Sequence, residues 1–461
     1  MAGRASAEAQ TRPNILLVFP DQHRFDWVPW NKAVPVRTPH LAALAARGMR
    51  FDAAVTPSPL CAPARACLAS GREYDRCGVP SNGENYPLDQ VTVYALLRDA
   101  GYQVAGCGKF DLHKASRNWG TDGKHLLKEW GFTGGCDSAG KWDAVAGGAD
   151  EPKDPFTAML KDRGLLAAHV ADMQRRRKDR MATFATPLPD DAYGDNFVGQ
   201  KGLDLLRGFE RGRPWMLQVN FPGPHEPWDI TARMEAECRG LTGFPPPAGR
   251  GNLAPEHLAV RQNYTAMIEN IDRWLGRYVE ALRERGELDR TIVIWSSDHG
   301  EMLGDRDAWS KSKPWQPSIG VPLVVAGPGV REGASHAGPA TTLDLAATFV
   351  DYAGATVPPD WDSRSLRPVL EGRAERHREV VLSGLGPWRV VWDGRWKLIR
   401  RSAGAGAKAK AAAKASAKAA AEPPVELYDL KADPHEQADV AAAHPDVVER
   451  LSRHLPSGAS A

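Results

Sequence analysis

Apolar residues in this chain fall into short runs closed by polar residues, glycine or proline, and the runs alternate with segments of helical spacing. NILLVF (14–19) is a compact apolar run with turn signals on both sides, the pattern of a strand buried on both faces. TPHLAALAARGM (38–49) places apolar residues at helical intervals, with Gly48 as the stop. TVYALLRDAG (92–101) reads as a helix ending in glycine, followed by a strand in YQVAGCG (102–108). RPWMLQVNF (213–221) predicts another strand, and RQNYTAMIENIDRWLGRYVEALRERGE (261–287) a long amphipathic helix. TIVIWSS (291–297) and VPLVVAGP (321–328) predict strands, and TTLDLAATFVDYAG (341–354) a helix. Strands alternating with helices predict an α/β fold with a mostly parallel central sheet covered by helices on both faces.

The pattern changes after SLRPVLEG. EVVLSGLGPWRVVWDGRWKLIRR (379–401) predicts antiparallel strands with polar turns, PVELYDL (424–430) a further strand, and PDVVERLSRHL (445–455) a terminal helix. This divides the chain near residue 375 into a large domain (1–375) and a small C-terminal α+β domain (376–461) with an antiparallel sheet. Inside the small domain, AGAGAKAKAAAKASAKAAAE (403–422) is a low-complexity Ala/Lys insert, expected as a solvated loop or frayed helix within a hairpin.

Composition narrows the function classes. At 461 residues the chain exceeds what one hydrophobic core organises. With 42% hydrophobic and 25% charged residues and a net charge of +2, nothing global points to nucleic acid or a membrane surface. No apolar run is long enough to span a bilayer. The opening MAGRASAEAQTRPNILLVF has no signal-peptide pattern, which predicts a cytoplasmic protein. In that compartment the six cysteines (61, 67, 77, 107, 136 and 238) are not expected to form a disulfide framework. Trp27, Trp30, Trp119, Trp228 and Trp315 lie near polar motifs, and packing is their expected role.

Ligands of open α/β sheets gather at the carboxyl ends of strands. NILLVFPDQ ends in Asp21 and Gln22, and TIVIWSSDHG in Asp298 and His299. Singly, an aspartate there is a turn or cap residue. Two such pairs offer carboxylates, an amide oxygen and an imidazole, an oxygen-rich set suited to calcium, magnesium or manganese. PLCAPARACLASGR (59–72) sets Cys61 before a helical segment, whose amino end stabilises negative charge, with Arg65 four positions on. CGKFDLHK carries Lys109 and His113, FPGPHEPWD carries His225, and AWSKSKPWQ carries Lys311 and Lys313, all in loops after strands. Gathered at one rim, they make a site for a tetrahedral oxyanion.

These blocks resemble, in order and over almost the whole chain, the sulfatases of the alkaline phosphatase superfamily. PNILLVFPDQ, TPHLAALAARGMRFDAAVTPSPLCAPARACLASGR, FPGPHEPWD, SSDHGEMLGD and VELYDLKADPHEQADV carry the resemblance. The Asp21–Gln22 pair after Pro20 is closest in style to the choline-sulfatase and phosphonate monoester hydrolase branches. The resemblance implies an alkaline-phosphatase-like large domain. It implies that a formylglycine-generating enzyme oxidises Cys61, in its C-x-P-x-R setting, to formylglycine. It makes Asp21, Gln22, Asp298, His299 and modified Cys61 ligands of one divalent metal, calcium first, with manganese and magnesium as alternatives. Arg65 then holds the modified side chain, Lys109 and Lys311 neutralise sulfate oxygens, His225 protonates the leaving alcohol, and Asn82 touches the substrate oxyanion. The last proton falls to His113. The chain also departs from the family pattern: Asp111 stands where histidine is common, Ala64 replaces a frequent serine, and Gly320 replaces a common arginine.

The reading is therefore hydrolysis of a small organic sulfate ester to alcohol and inorganic sulfate. Its alternatives are hydrolysis of phosphonate monoesters or phosphodiesters on the same fold, and a non-catalytic binding protein that keeps the fold. Lys109 favours sulfate, and the survival of nucleophile, ligands and both lysines disfavours the binding protein.

Overall fold

The computed structural model describes residues 12–402 and 424–455. The NILLVF run becomes β1 (Asn14–Val18), whose five residues are all buried. It lies inside an eight-stranded sheet with β2 (Gly48–Val55), β3 (Gln103–Gly108), β4 (Gly134–Asp137), β5 (Trp215–Asn220), β6 (Thr291–Trp295), β7 (Val324–Ala326) and β8 (Ala334–Thr341), in the order β4-β3-β5-β1-β6-β7-β2-β8. β1 pairs in parallel with β5 (Leu16 opposite Leu217) and with β6 (Val18 opposite Trp295).

Side chains alternate across the sheet, so each face takes every second residue. Ile15 and Leu17 enter a core shared with the helices Cys61–Ser70, Val93–Asp99 and Asp344–Tyr352. Leu16 and Val18 enter the opposite core, against Gly194–Gly208 and the long helix Pro255–Glu284. This is why β1 reads as continuously apolar: both faces are covered.

β7 runs antiparallel to both its neighbours. A parallel strand needs a crossover that returns the chain to the sheet's other edge. Between β6 and β7 the chain forms only short turns and the helix Gln316–Ile319, so it re-enters from the edge it left. β2, β4 and β8 were not expected from the apolar runs. β4 (GGCD) and β8 (ASHAGPAT) are the two edge strands, with too few large apolar residues to announce themselves.

The C-terminal region folds as a second, antiparallel sheet, β12-β11-β10-β9, from β9 (Val381–Leu385), β10 (Trp388–Trp392), β11 (Trp396–Arg401) and β12 (Val425–Asp429). One face meets Val447 and Leu451 of the helix Pro445–Ser452. The other packs Val390, Trp392 and Ile399 onto Val55, Met302, Trp315 and Ile319 of the large body. A buried ion pair, Lys397 with Glu436, adds to this junction, and Glu436 also accepts the Gln316 N–H at 2.6 Å. The expected insert at 403–422 lies outside the described residues. Trp27, Trp119, Trp228 and Trp315 are buried, as expected for packing roles.

One buried residue sets an acid limit on stability. His169 is 3% exposed, and neither ring nitrogen has a partner among the described residues. Burial, against the attraction of Asp229, lowers its pKa from 6.5 to about 4. Above 6.5 the imidazole is neutral in both states, so stability is unaffected. Between 6.5 and about 4 only the unfolded chain binds the proton, so stability falls as pH falls. At about 1.4 kcal/mol per pKa unit, the loss reaches roughly 3 kcal/mol. Urea midpoints of the native chain are expected to drop across this window, and His169→Phe to flatten the drop. An equal drop in the variant would refute the assignment.

Candidate active site

β1, β2, β3, β5 and β6 all point the same way, so the segments that follow them meet at one edge of the sheet. Asp21 follows β1, Cys61 follows β2, Lys109 follows β3, His225 follows β5, and Asp298 and His299 follow β6.

Cys61 is the first residue of the helix Cys61–Ser70, every residue of which is buried. Leu60 provides no side-chain cap. Asn82 Oδ1 supplies one by accepting the Ala62 N–H at 3.0 Å, so this expected substrate contact braces the helix end beneath Cys61. Gly71 closes the helix in the left-handed region (φ 64°), where a Cβ would overlap the Trp361 ring.

One ligand atom each from Asp21, Cys61, Asp298 and His299 lies within 4.8 Å of the others, and all four residues are buried. Cys61 Sγ is 3.3 Å from His299 Nε2 and 3.9 Å from Asp21 Oδ1. Two buried carboxylates so close repel each other unless cations separate them. Arg65, one turn along the helix from Cys61, supplies one cation, reaching Asp298 Oδ2 at 2.9 Å and Asp21 Oδ2 at 3.2 Å. Its other amine donates to Asn220 Oδ1 at 3.2 Å and to the Lys109 carbonyl. The two carboxylates and the imidazole of this set fit a divalent cation.

Lys109 is buried between Asp21, which it contacts, and Asp111 Oδ2 at 3.3 Å. Lys311 Nζ contacts His225 Nε2 and donates to Gln22 Oε1 at 2.7 Å. Gln22 adopts φ 71°, a turn pinned by its N–H to Asp298 Oδ1 (3.0 Å) and by Tyr264, whose hydroxyl donates to the Gln22 carbonyl at 2.6 Å. Its amide oxygen is thus turned to Lys311, and its amide nitrogen to Glu226 and Glu301.

The charges act together. Burial opposes the Asp21 charge, yet Lys109, His225, Arg65 and His299 hold its carboxyl well below the usual range. Burial and Asp21 oppose a thiolate, yet Lys109, Lys311 and His299 draw the Cys61 thiol well below its ordinary value. An unmodified Cys61 is therefore already held in a field built for an anion.

Sequence reasoning missed three groups. Glu226 Oε2 lies 3.2 Å from His225 Nδ1. Glu301 accepts the N–H groups of Leu303 (3.0 Å) and Ser310 (2.5 Å), while burial and then Glu226 raise its pKa to about 7. Lys114 reaches Asp111 at 2.8 Å and Asp143 at 2.7 Å. The signal for both glutamates was present, since each lies within two residues of an assigned histidine. Both ring nitrogens of His113, expected as the last base, have partners. Its Nε2 faces Asp137 at 2.9 Å and its Nδ1 faces Ser116 at 3.0 Å.

A mostly parallel sheet with buried carboxylates, an imidazole and cations gathered at its strand ends is the class that fold and site define. Residues 13–355 match the family model for Sulfatase. A choline-sulfatase of Rhizobium meliloti (strain 1021) is 30% identical over 464 aligned residues, covering 93% of this chain and 82% of the relative. The multifunctional alkaline phosphatase superfamily protein PehA of Trinickia caryophylli is 26% identical, covering 94% of this chain and 91% of the relative. Among solved structures, the phosphonate monoester hydrolase of Agrobacterium radiobacter shares the fold with a TM-score of 0.77 at 23% identity, over 96% of this chain and 94% of that one. The chain belongs to the sulfatase family. It is a hydrolase of sulfuric esters, and no helix among its described residues is long and apolar enough to cross a membrane.

Proposed function

We propose that this sulfatase cleaves a small organic sulfate ester with formylglycine made from Cys61. The observation that carries the reading is the placing of Cys61 Sγ among Asp21, Asp298 and His299, at the amino end of a buried helix and between Lys109 and Lys311. The hydrated aldehyde would supply one hydroxyl to displace the alcohol from sulfur and a second to expel sulfate. The divalent metal, calcium by preference, would be held by Asp21, Gln22, Asp298, His299 and modified Cys61, and would supply Lewis-acid activation of the attacking oxygen.

The remaining groups divide the charge. Arg65 holds both metal-site carboxylates apart and fixes their orientation. Lys109 and Lys311 face developing charge on the sulfate oxygens. Gln22 also meets Lys311, whose ammonium its amide oxygen holds. His225 gives a proton to the leaving alcohol, with the Glu226 backbone carbonyl at Nδ1 orienting its ring. Because Cys61 is 1% exposed, a formylglycine-generating enzyme must reach it before this part of the chain folds. A cytoplasmic setting goes with this reading and draws support from six cysteines that are all free.

The test joins mass spectrometry of the tryptic peptide FDAAVTPSPLCAPAR (51–65) to turnover on aryl and alkyl sulfate esters and phosphonate monoesters. An aldehyde or its hydrate at Cys61, with sulfate esters preferred and activity lost to a chelator, is the expected result. Activity from a wholly unmodified thiol would sink the nucleophile. Faster turnover of phosphonates would move the assignment to that branch, and modified protein inert on every ester would leave a binding protein.

A further inference from the structure

The proton that must leave before sulfate departs has no acceptor at His113. Besides its bonds to Asp137 and Ser116, that ring is packed by Trp119 and Trp130, with centroids 5.7 and 5.2 Å away. Asp111, two residues after Lys109 and 1% exposed, has the opposite character. Its Oδ2 is held by Lys114 (2.8 Å) and Lys109 (3.3 Å), while its Oδ1 is buried with no hydrogen-bond partner among the described residues. An unmet buried acceptor is costly, so it persists where something else needs it. Asp111 also sits at φ 55°, a left-handed backbone unfavourable for a residue with a Cβ.

Asp111 belongs to the same charge network as Cys61. Lys109 Nζ bridges Asp111 to Asp21, and Asp21 Oδ1 lies 3.9 Å from Cys61 Sγ. Lys114, the other cation on Asp111, also feels the charge at Cys61. Burial opposes charge on Asp111, but Lys109, Lys114 and Arg65 hold its carboxyl below the usual range and keep it ionised.

We propose that Asp111 Oδ1 accepts the proton that drives sulfate out, with Lys114 as the positioning residue that fixes the carboxylate. The proposal rests on the sulfatase reading. Once the alcohol has gone, the carbon derived from the Cys61 side chain carries one hydroxyl and one sulfate. Asp111 takes the hydroxyl proton, directly or through one water. The electron pair of that O–H bond forms the C=O bond. The C–O bond to sulfate breaks, and sulfate leaves as the dianion with the bonding pair. Water then adds to the aldehyde, and Asp111 returns its proton to solvent.

Asp111→Asn keeps the shape and removes the acceptor. Rapid-quench assay of the formylglycine-bearing variant is expected to show a stoichiometric burst of alcohol, then turnover reduced by about 10²–10⁴-fold. Its intact mass is expected to rise by one sulfuryl group, a readout that needs no turnover, and Asp111→Glu to recover part of the steady rate. Turnover of Asp111→Asn at the native rate would overturn the proposal. So would loss of burst and turnover together in a variant with native circular dichroism and metal content. Formylglycine-bearing native protein that releases no alcohol from sulfate esters would remove the sulfatase reading itself. That failure is seen before any variant is made, and the proposal falls with it.

Discussion

Cys61→Ser is expected to complete one displacement at most and then stop, with steady turnover down about 10⁴-fold or more. Serine preserves what the surroundings act on: a side-chain atom among Asp21, Asp298 and His299, at the end of a helix capped from Asn82. Its hydroxyl can attack sulfur and form a sulfate ester. It lacks the second oxygen on the same carbon, so no lone pair is placed to form a C=O bond and push sulfate out. Intact mass after exposure to substrate is expected to show one added sulfuryl group that persists through dialysis. The variant and Asp111→Asn thus arrive at the same stalled point for different reasons, one lacking the proton to be lost and the other the group that takes it. Sustained turnover by Cys61→Ser near the native rate would show that the second hydroxyl is dispensable, and the mechanism would fail.

The candidate metal cluster is legible because each of its members stands close to a chemically loud position. Asp21, Asp298 and His299 end continuously apolar strands, and in a parallel sheet strand ends must converge. Cys61 and Arg65 share a helical face, so their spacing already implied a common target. The loops were less legible. Nothing in hydrophobic periodicity says which residue of GKFDLHK turns inward, and the choice is made by positive φ at Asp111 together with the Asp137 contact that diverts His113. Glu226 and Glu301 stay hidden in the sequence because their contacts to Gln22 join residues more than two hundred positions apart. The antiparallel course of β7 escaped for the same reason: its apolar run is that of any buried strand, and only the lack of a crossover fixes its direction.

His225→Ala is expected to separate substrates by their leaving groups. An alkyl alcohol leaves poorly as its alkoxide and needs a proton at the moment the S–O bond breaks. For such esters the loss is expected at about 10²–10⁴-fold in kcat/KM. A nitrophenolate carries its own charge, so an aryl ester with that leaving group is expected to lose less than about tenfold. The geometry supports a donor here. The Glu226 backbone carbonyl meets Nδ1, with Glu226 Oε2 3.2 Å away, and this turns Nε2 toward the site, where it meets Lys311. That contact ties the placing of Lys311 to His225. It also provides the control. If His225 serves only to place Lys311 against the sulfate oxygens, its removal weakens a contact that every substrate makes, and alkyl and aryl esters lose rate alike. Equal losses would therefore assign His225 to positioning, and a loss graded with the basicity of the leaving alcohol would assign it to proton transfer.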